Sequence, residues 1–316
     1  MLKLGVVMDP ISTIKIQKDS TFAMLLAAQA KDWQLYYMEL NDLSVINGVA
    51  MSNTRPLTVT DDPTGWFELS DSVYGPLSGL DVILMRKDPP FDMEYIYATY
   101  MLELAEQQGV MVVNKPQTLR DANEKLSTAW FPQCTSPTLV TRNTRQILEL
   151  LQQQKDIILK PLNGMGGASI FRVAEGDVNT NVIIETLTEH ETRYVMAQRF
   201  IPEIEQGDKR ILLIDGEPVP YALARVPAKG ETRGNLAVGG TGVGVPLTDR
   251  DLWICEQVAP TLKEKGLMFV GLDVIGDYLT EINITSPTCI RELDQLYNLD
   301  IAGQLMDSIA VKIKTH

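Results

Sequence analysis

Residues 271–288 read GLDVIGDYLTEINITSPT. The pattern predicts two short apolar strands, residues 269–275 and 279–284, joined by a tight turn at Gly276. Oxygen-bearing side chains interrupt the apolar runs at three positions: Asp273, Glu281 and Asn283. Because Glu281 and Asn283 are two residues apart, an extended chain places both on one face of this hairpin.

The pairing register decides whether Asp273 joins the other two side chains. A three-residue turn at residues 276–278 sets Asp273 opposite Glu281 and pairs Leu272 with Ile282 on the reverse face, whereas a slip of one residue turns Asp273 away. In the first register two carboxylates and an amide oxygen form one cluster, the kind of ligand set that Mg²⁺ takes. The alternative is an acidic turn on a solvated hairpin, and the spacing alone leaves both open.

The composition limits the classes of partner. A chain of 316 residues predicts two or three domains that share a cleft. It has 28 Lys and Arg against 41 Asp and Glu, a net charge of -13, which argues against a nucleic-acid or anionic-membrane partner. Local basic clusters then suggest anionic small substrates. No apolar run is long enough to cross a membrane, and the segment around Lys3 lacks the long core of a signal peptide.

Cysteine and histidine usage restricts the chemistry. Three cysteines, an odd number spread far apart, fit free thiols in a reducing cytosol better than a disulfide framework, so we expect a cytoplasmic protein. Of the two histidines, His190 lies in a polar linker and His316 is the final residue. Histidine-based triads, zinc sites and histidine general-base chemistry are therefore not expected.

The first third of the chain predicts a parallel sheet. A β-type run at residues 2–8 is followed by a helix that begins at an Asp19 cap and by a second strand at residues 34–40. Strand, helix and strand in this order are typical of a doubly wound α/β domain, although no dinucleotide-binding glycine fingerprint follows the first strand. We expect this domain to end near residue 120.

Arg86 follows another predicted strand, residues 81–85. In open α/β sheets ligands gather at the carboxyl ends of strands, so the guanidinium group of Arg86 is well placed to hold an anion through two parallel hydrogen bonds. An ion pair between Arg86 and either Asp88 or Asp92 is an equally good interpretation.

Residues 156–173 read DIILKPLNGMGGASIFRV, a strand, a glycine-rich loop and a second strand. Gly164, Gly166 and Gly167 allow the backbone to approach a ligand and to turn N–H groups toward it. A Walker P-loop would end in Gly-Lys-Ser/Thr and open a helix, whereas this loop continues as a strand from Ile170. If it holds phosphate, it does so as a flap between strands. The alternative is a long glycine hairpin without a ligand.

Two less specific signals flank this loop. Residues 118–131 have helical composition, and Lys125 within them would by default be a solvated side chain. The apolar segment at residues 194–202 runs into an irregular linker that can offer backbone groups to an adenine edge, and the carboxylate of Asp208 suits a ribose diol.

Residues 210–225 predict a second hairpin with a two-residue turn. Counting outward from the turn sets Arg210 opposite Tyr221 and puts Arg225 on the same face, although two prolines in the second strand leave the register open. Two arginines that face one cleft are costly unless an anion lies between them.

Residues 227–246 hold six glycines and one central arginine, Arg233. Few apolar side chains are available to anchor such a segment, and loops of this length are usually functional lids or disordered. We expect a lid. A helix is predicted at residues 248–265 and an amphipathic helix at residues 301–314.

Four ordered stretches resemble the bacterial glutathione synthetases, a family of the ATP-grasp superfamily. They are MRKDPPFD (85–92), KPLNGMGG (160–167), ETRGNLA (231–237) and EINITSPT (281–288). The resemblance runs along essentially the whole chain, and the ordered set is highly specific although no single motif is. One departure is Thr241, where close relatives would carry an arginine, so lid closure would rely more on Arg233.

The resemblance implies an α/β chain with the ATP-grasp fold. An N-terminal doubly wound parallel-sheet domain on the substrate side would span residues 1–120. A central domain with the glycine-rich loop would span residues 121–200, and a C-terminal domain with the metal site and the flexible loop 226–246 would span residues 201–316. These two α+β domains would clasp the nucleotide.

The implied activity is that of an ATP-dependent ligase. ATP phosphorylates the cysteinyl carboxylate of γ-glutamylcysteine, and the amine of glycine attacks the acyl phosphate to release glutathione, ADP and phosphate. Such chemistry needs positioning and charge neutralisation rather than a protein nucleophile. The alternatives are another ATP-grasp carboxylate–amine ligase, such as one that joins D-alanine or adds glutamate, and a non-catalytic ATP-binding regulator. The family further suggests a homotetramer.

The resemblance also implies roles for individual residues. The nucleotide-binding residues would be Lys125 and Lys160 at the phosphates, Gly164, Gly166 and Gly167 over them, and Gln198, Ile201 and Asp208 at adenine and ribose. The catalytic arginines would be Arg210, Arg225 and the lid residue Arg233. The residues for substrate carboxylates would be Arg86, Ser286 and Thr288. The ligands of Mg²⁺, two ions with Mn²⁺ as a substitute, would be Asp273, Glu281 and Asn283. Cys289, beside them, is expected to be a small buried filler.

Overall fold

The computed structural model describes residues 1–164, 166–228, 234 and 239–315. This part of the chain folds into three β-sheets and eight α-helices. None of its helices is long and apolar enough to cross a membrane. Arg233 and the neighbouring residues 229–232 and 235–238 of the predicted lid lie outside the described residues.

The N-terminal segment forms an eight-stranded sheet. Its elements are β1 (Lys3–Val7), α1 (Ser20–Ala30), β2 (Gln34–Met38), β3 (Leu43–Ile46), β4 (Val49–Val59), β5 (Phe67–Leu69), β6 (Val73–Pro76), β7 (Val82–Met85), α2 (Met93–Gln107), β8 (Met111–Val113) and α3 (Pro116–Asp121). Parallel pairing in the order β2-β1-β7-β8 confirms the predicted parallel sheet. The predicted cap is confirmed as well, because the Asp19 carboxylate accepts the Phe22 backbone N–H at 2.7 Å.

The antiparallel part of this sheet was not predicted. The 11-residue strand β4 pairs with β2 and β5 through its C-terminal half and with β3 and β6 through its N-terminal half. Strands β3 and β6 leave several large apolar side chains exposed: Val45, Ile46, Val73 and Tyr74. Exposed apolar side chains therefore lie on both strands that flank the N-terminal half of β4.

A separate four-stranded antiparallel sheet lies in the middle of the chain, in the order β11-β10-β12-β9. Its elements are β9 (Thr138–Thr141), α4 (Thr144–Gln154), β10 (Asp156–Pro161), β11 (Phe171–Ala174), α5 (Thr180–Thr188) and β12 (Val195–Arg199). Pairing of β10 with β11 confirms the predicted strand, glycine loop and strand. The helices cover the sheet and form a core of their own around Ile147, Leu159 and Ile184.

The single helix predicted over residues 118–131 is wrong. Helix α3 ends at Asp121, and a short 3₁₀-helix begins only at Leu126. Between them the Asn123 side chain accepts the backbone N–H groups of Lys125 and Leu126 at 3.1 and 2.9 Å. A side chain that takes these donors competes with a continuing helix. Lys125 is consequently buried at a turn and is not a solvated residue on a helix face.

The C-terminal segment is built on a five-stranded antiparallel sheet, in the order β15-β14-β13-β16-β17. Its elements are β13 (Asp208–Ile214), β14 (Glu217–Val226), β15 (Thr241–Pro246), α6 (Asp249–Glu264), β16 (Phe269–Ile275), β17 (Tyr278–Asn283), α7 (Ile290–Tyr297) and α8 (Ile301–Thr315). Both predicted helices are confirmed as α6 and α8. The end of the predicted lid is a strand, since β15 pairs along β14.

The register predicted for the β13–β14 hairpin is wrong. Arg210 lies opposite Leu223 and not Tyr221, and Asp208 lies opposite Arg225. The register shifts near the turn, where β14 carries two prolines that cannot donate to the ladder. Because Arg225 is two residues from Leu223, the two arginines still share one face of the sheet, as predicted.

The register predicted for the β16–β17 hairpin is confirmed, although the turn differs. Asp273 pairs with Glu281. The turn contains two residues, since Ile275 pairs with Tyr278, and a bulge at Thr280 supplies the extra residue that brings Asp273 and Glu281 into register.

Two hydrophobic cores join the N-terminal and C-terminal sheets. One contains Leu102 of α2 together with Val270 of β16, and the other contains Leu25 of α1 together with Leu305 of α8. The first and last thirds of the chain are thus packed against each other, while the central sheet keeps its own core. The division into domains at residues 120 and 200 stays a prediction.

Candidate active site

A cavity of about 310 Å³ is lined by residues of the central and C-terminal sheets, of the connecting segments and of the N-terminal segment just after β7. All of the predicted site residues line it except Arg86 and Arg233, the latter lying outside the described residues. The cavity wall also contains residues that the sequence analysis did not assign to a site, including Asp88, Glu124 and Thr285.

Three buried charges from β13, β14 and β16 form one wall. Oδ1 of Asp273 accepts Nε of Arg210 at 2.6 Å, and Oδ2 lies 3.1 Å from Nη2 of Arg210 and 2.8 Å from Nη2 of Arg225. Burial alone would raise the pKa of Asp273, but the two guanidinium groups outweigh burial and hold that pKa well below its usual range. The anion that two facing arginines require is therefore a side chain of the protein itself.

Asp208 extends this group of charges through Arg225. Its Oδ2 accepts Nη2 of Arg225 at 2.5 Å, whereas its Oδ1 is buried without a hydrogen-bond partner among the described residues. Burial raises the pKa of Asp208 to about 6 in spite of the neighbouring guanidinium group. An unsatisfied buried acceptor costs about 1–3 kcal/mol, so a hydroxyl donor on a ligand would be stabilised here. A ribose hydroxyl meets that requirement.

The two predicted phosphate-binding lysines are both buried, but their partners differ. Nζ of Lys125 donates to Gly164 O at 2.6 Å and to Glu281 Oε1 at 2.8 Å. Burial would lower the pKa of Lys125, yet Glu281 raises it overall. Among the described residues Nζ of Lys160 has one hydrogen bond, to Thr280 O at 3.2 Å, and burial lowers its pKa to about 8. Because an ammonium group has three donors, Lys160 retains capacity for an anionic ligand.

The glycine-rich loop contributes backbone to the cavity through Gly164, Gly166 and Gly167. Gly166 and Gly167 have φ values of +62° and +81°, a region that other residues rarely adopt. A Cβ atom added at Gly164 would lie 2.9 Å from Cγ of Pro161. This part of the wall therefore presents main-chain groups at close range.

The predicted adenine-binding residues lie among apolar side chains. Gln198 and Ile201 line the cavity together with Ile158, Ile170 and Ile204. Nε2 of Gln198 donates to Oγ1 of Thr138 at 2.9 Å, which orients the amide group. A flat, mostly apolar ring with polar edges suits this surface.

Asp273, Glu281 and Asn283 all line the cavity from neighbouring strands, and this donor set fits a divalent cation. Carboxylate oxygens keep further lone pairs after accepting an arginine or lysine. Nδ2 of Asn283 donates to Gly271 O at 3.2 Å, which orients the amide group and leaves its Oδ1 available as a metal ligand. The described residues contain no cluster of three His, Cys, Asp or Glu that could hold a metal ion, so this amide oxygen and ligand oxygens would complete the coordination.

The charges that line the cavity balance within the described residues. The cationic side chains are Lys125, Lys160, Arg199, Arg210 and Arg225, and the anionic side chains are Asp88, Glu124, Asp208, Asp273 and Glu281. A nucleoside triphosphate and a carboxylate substrate would add several negative charges to this neutral wall. Divalent cations supply the compensating positive charge.

Residues 284–288, which follow β17, are called the substrate loop below; Ser286 and Thr288 of this loop line the cavity. Arg86 lies behind it, with Nε donating to Thr21 Oγ1 at 3.0 Å and Nη2 donating to Pro287 O at 2.9 Å. Neither of the ion pairs considered for Arg86, with Asp88 or Asp92, forms. Its predicted contact with a substrate carboxylate stays a prediction.

Cys289, at the end of the substrate loop, is buried as expected, but it also lines the cavity.

Two polar residues that hold the substrate loop were missed. Oε1 of Glu124 accepts the backbone N–H groups of Ile284 and Thr285 at 2.8 and 3.0 Å and the Thr285 hydroxyl at 2.9 Å. Nδ2 of Asn114 donates to Ile284 O at 2.7 Å. The one signal in the sequence that pointed to Glu124 was its position next to Lys125, a predicted phosphate-binding residue.

Solved structures share the fold over nearly the whole chain. The D-cycloserine synthetase DcsG is similar with a TM-score of 0.69 and 13% identity, over 98% of this chain and 99% of that one. The ATP-grasp ligase PsnB, solved with a minimal precursor, Mg and ADP, is similar with a TM-score of 0.63 and 15% identity, over 98% of each chain. At these identities the likeness shows the ATP-grasp fold alone.

Closer relatives and family models identify the family. Glutathione synthetases from Shewanella oneidensis, Pseudomonas putida and Escherichia coli are 64%, 63% and 61% identical to this chain, and each comparison covers 99% of both proteins. Residues 2–120 match the N-terminal domain of prokaryotic glutathione synthetase, and residues 124–298 match its ATP-grasp domain. The chain therefore belongs to the prokaryotic glutathione synthetase family.

Proposed function

We propose that this protein is the ATP-dependent ligase that joins glycine to γ-L-glutamyl-L-cysteine through an acyl phosphate, giving glutathione, ADP and phosphate. The observation that carries this proposal is that one cavity contains both the lysines and glycine loop expected for nucleotide phosphates and the substrate loop. A terminal phosphate and a substrate carboxylate can therefore meet beside Arg210 and Arg225.

Nucleotide binding is assigned to the central part of the cavity. Lys125 and Lys160, the latter with donors left unused by the described residues, would bind phosphate oxygens, and the loop of Gly164, Gly166 and Gly167 would cover them. Gln198 and Ile201 would contact adenine. Asp208 would accept a ribose hydroxyl through its unpartnered Oδ1.

The chemical step requires stabilisation of charge rather than a protein nucleophile. Arg210 and Arg225 would stabilise the acyl phosphate and the tetrahedral species that forms when the glycine amine attacks it. Asp273 holds both guanidinium groups in place before the substrate binds, so little reorganisation is needed. Ser286 and Thr288 would hold substrate carboxylates, and Arg233 in the lid would help to exclude water.

Family membership implies the use of a divalent metal. Asp273, Glu281 and Asn283 would hold Mg²⁺ as two ions, with Mn²⁺ as a substitute. When bound, the metal would neutralise phosphate charge.

Two properties of the protein as a whole complete the proposal. The exposed apolar side chains of β3 and β6 support assembly into a homo-oligomer, which we propose to be a tetramer. Light scattering tests this state directly.

All three cysteines are free and buried, which supports a reducing, cytoplasmic location.

The proposal is tested by incubating the purified protein with ATP, Mg²⁺, γ-glutamylcysteine and a panel of amino acids, with ADP release and product mass as the readouts. We expect glycine to be preferred. Preference for another amino acid would assign a different ATP-grasp ligase, and the absence of substrate-dependent ADP release would indicate a nucleotide-binding regulator.

A further inference from the structure

The substrate loop has no backbone–backbone hydrogen bond among the described residues. Side chains from the first 124 residues hold its backbone instead. Glu124 accepts two of its N–H groups at 2.8 and 3.0 Å, Arg86 donates to Pro287 O at 2.9 Å, and Asn114 donates to Ile284 O at 2.7 Å. The position of the loop therefore depends on contacts from distant parts of the sequence.

Glu124 makes the largest number of these contacts. One oxygen, Oε1, accepts both backbone N–H groups and also the Thr285 hydroxyl at 2.9 Å. Its own backbone carbonyl accepts the N–H of Ile282 at 2.8 Å. Hydrogen bonds to a carboxylate are roughly twice as strong as those between neutral groups. Glu124 thus joins the end of β17 and the start of the substrate loop to the segment before the 3₁₀-helix.

The same short segment also holds the β16–β17 hairpin in place. Lys125, the next residue, donates to Glu281 Oε1 at 2.8 Å. Burial and the nearby Glu281 raise the pKa of Glu124, and the two backbone N–H groups and the hydroxyl counteract this by favouring the carboxylate form. Glu124 and Lys125 therefore hold neighbouring positions near the end of β17 and the start of the substrate loop, Lys125 at Glu281 and Glu124 at Ile284 and Thr285.

We propose that Glu124 is a positioning residue for the substrate loop: through Ile284 and Thr285 it sets where Ser286 and Thr288 stand in the cavity, with Arg86 holding the far end of the loop at Pro287. This inference rests on the proposed function. In this proposal Glu124 makes no direct contact with a reactant.

The test begins with Glu124→Gln, which keeps the shape and removes the charge. Glutamine keeps an acceptor oxygen but accepts hydrogen bonds roughly half as strong as those of a carboxylate, so we expect kcat/KM for γ-glutamylcysteine to fall by about fivefold to tenfold, with the KM for ATP changed by less than about twofold. Glu94→Gln, at an exposed carboxylate in the first turn of α2, is the matched control and should behave as the wild type. An unchanged Glu124→Gln, or an equal loss in ATP binding, overturns the inference.

A second substrate separates positioning from direct contact. Glutarylcysteine lacks the α-ammonium group of γ-glutamylcysteine, the one cationic group of that dipeptide. Replacement of a positioning residue lowers kcat/KM by the same factor for both substrates. If Glu124→Gln is costly only with γ-glutamylcysteine, Glu124 binds the ammonium group and the inference is wrong.

Two further measurements keep the outcomes distinct. If Glu124→Gln does not fold, Thr285→Val removes only the hydroxyl donor, and we expect a smaller loss, about threefold, again in kcat/KM for the peptide substrate and not in the KM for ATP. No effect of Thr285→Val would then overturn the inference. Wild-type glutathione formation is measured first, because its absence would reject the proposed function and not the role of Glu124.

Discussion

The β16–β17 hairpin has a two-residue turn and presents charged side chains to the cavity, whereas the β10–β11 hairpin has a nine-residue loop, residues 162–170, and presents backbone. In the first, Asp273 and Glu281 are each held by basic side chains from other elements. In the second, glycines with positive φ shape the loop. Both border the same ligand space, but among the described residues only the β16–β17 hairpin has ion-paired side chains in the cavity wall, since the Asp156–Arg172 pair of the β10–β11 hairpin lies outside it.

The difference indicates that the two hairpins would have different roles in the reaction. Charges that must stabilise a short-lived, highly charged species gain most from being fixed beforehand, since reorganisation during the reaction is then small. A loop that covers phosphates gains from main-chain N–H groups that approach closely, which glycine permits. Changes in the charged hairpin should therefore affect turnover and stability, and changes in the glycine loop should affect nucleotide affinity.

Asp273→Asn should have the largest effect. Asparagine cannot neutralise two buried guanidinium groups, and breaking a buried ion pair costs about 3–5 kcal/mol of unfolding free energy. We also expect turnover to fall by a factor of about 10² to 10³. Urea unfolding and ADP release measure the two effects. Asp277→Asn, at an exposed position in the turn of the same hairpin, should change stability by less than about 0.5 kcal/mol. Wild-type stability in Asp273→Asn would contradict a structural role for this ion pair.

Arg210→Ala should lower turnover more than nucleotide affinity. Loss of one charge-stabilising donor raises the barrier by about 2–4 kcal/mol, while the KM for ATP should change by less than about twofold. Arg145→Ala, at an exposed arginine of α4, is the control. Equal losses in kcat and in ATP affinity would instead place Arg210 in the nucleotide site and would weaken the contrast between the hairpins.

Lys160 should make ATP affinity depend on pH. Its pKa of about 8 lies below the ordinary lysine value, and bound phosphate favours the ammonium form and so raises that pKa. ATP affinity is then fully present below about pH 8 and falls as the pH rises through that value, by up to about tenfold per unit. Measurement of the KM for ATP between about pH 7 and about pH 9.5 shows this slope. Lys160→Arg stays charged and should abolish it; an unchanged slope in that variant would assign the titration to another group.

Gly166→Ala should have the smallest effect. An added Cβ meets no atom within 4 Å, so only the positive φ opposes the substitution, at about 1–2 kcal/mol. We expect the KM for ATP to rise by about fivefold to tenfold with kcat nearly unchanged. Gly65→Ala also enters open space but without a positive φ, and it should be silent. A fall in kcat alone would show that the loop contributes to chemistry and not only to binding.

Much of the fold and the site could be predicted because the signals are local. The parallel opening of the chain, the glycine loop between two strands and the pairing of Asp273 with Glu281 all follow from patterns within about 40 residues. The ordered motifs then indicated the family without any structural information. The missed elements have their local causes as well, since the Asn123 side chain ends the predicted helix and a bulge shifts the β13–β14 register.

The sequence by itself determined the family, the ATP-grasp fold and the residue types that line the cavity, because glycine, lysine and acidic positions each restrict local backbone or charge. Only the tertiary structure decided what those side chains contact. Asp273 lies between Arg210 and Arg225, Arg86 holds Pro287 from 201 residues away, and Glu124 holds Thr285 from 161 residues away. Such contacts follow from how strands and layers pack, and pairing across that distance leaves no periodic signal in the chain.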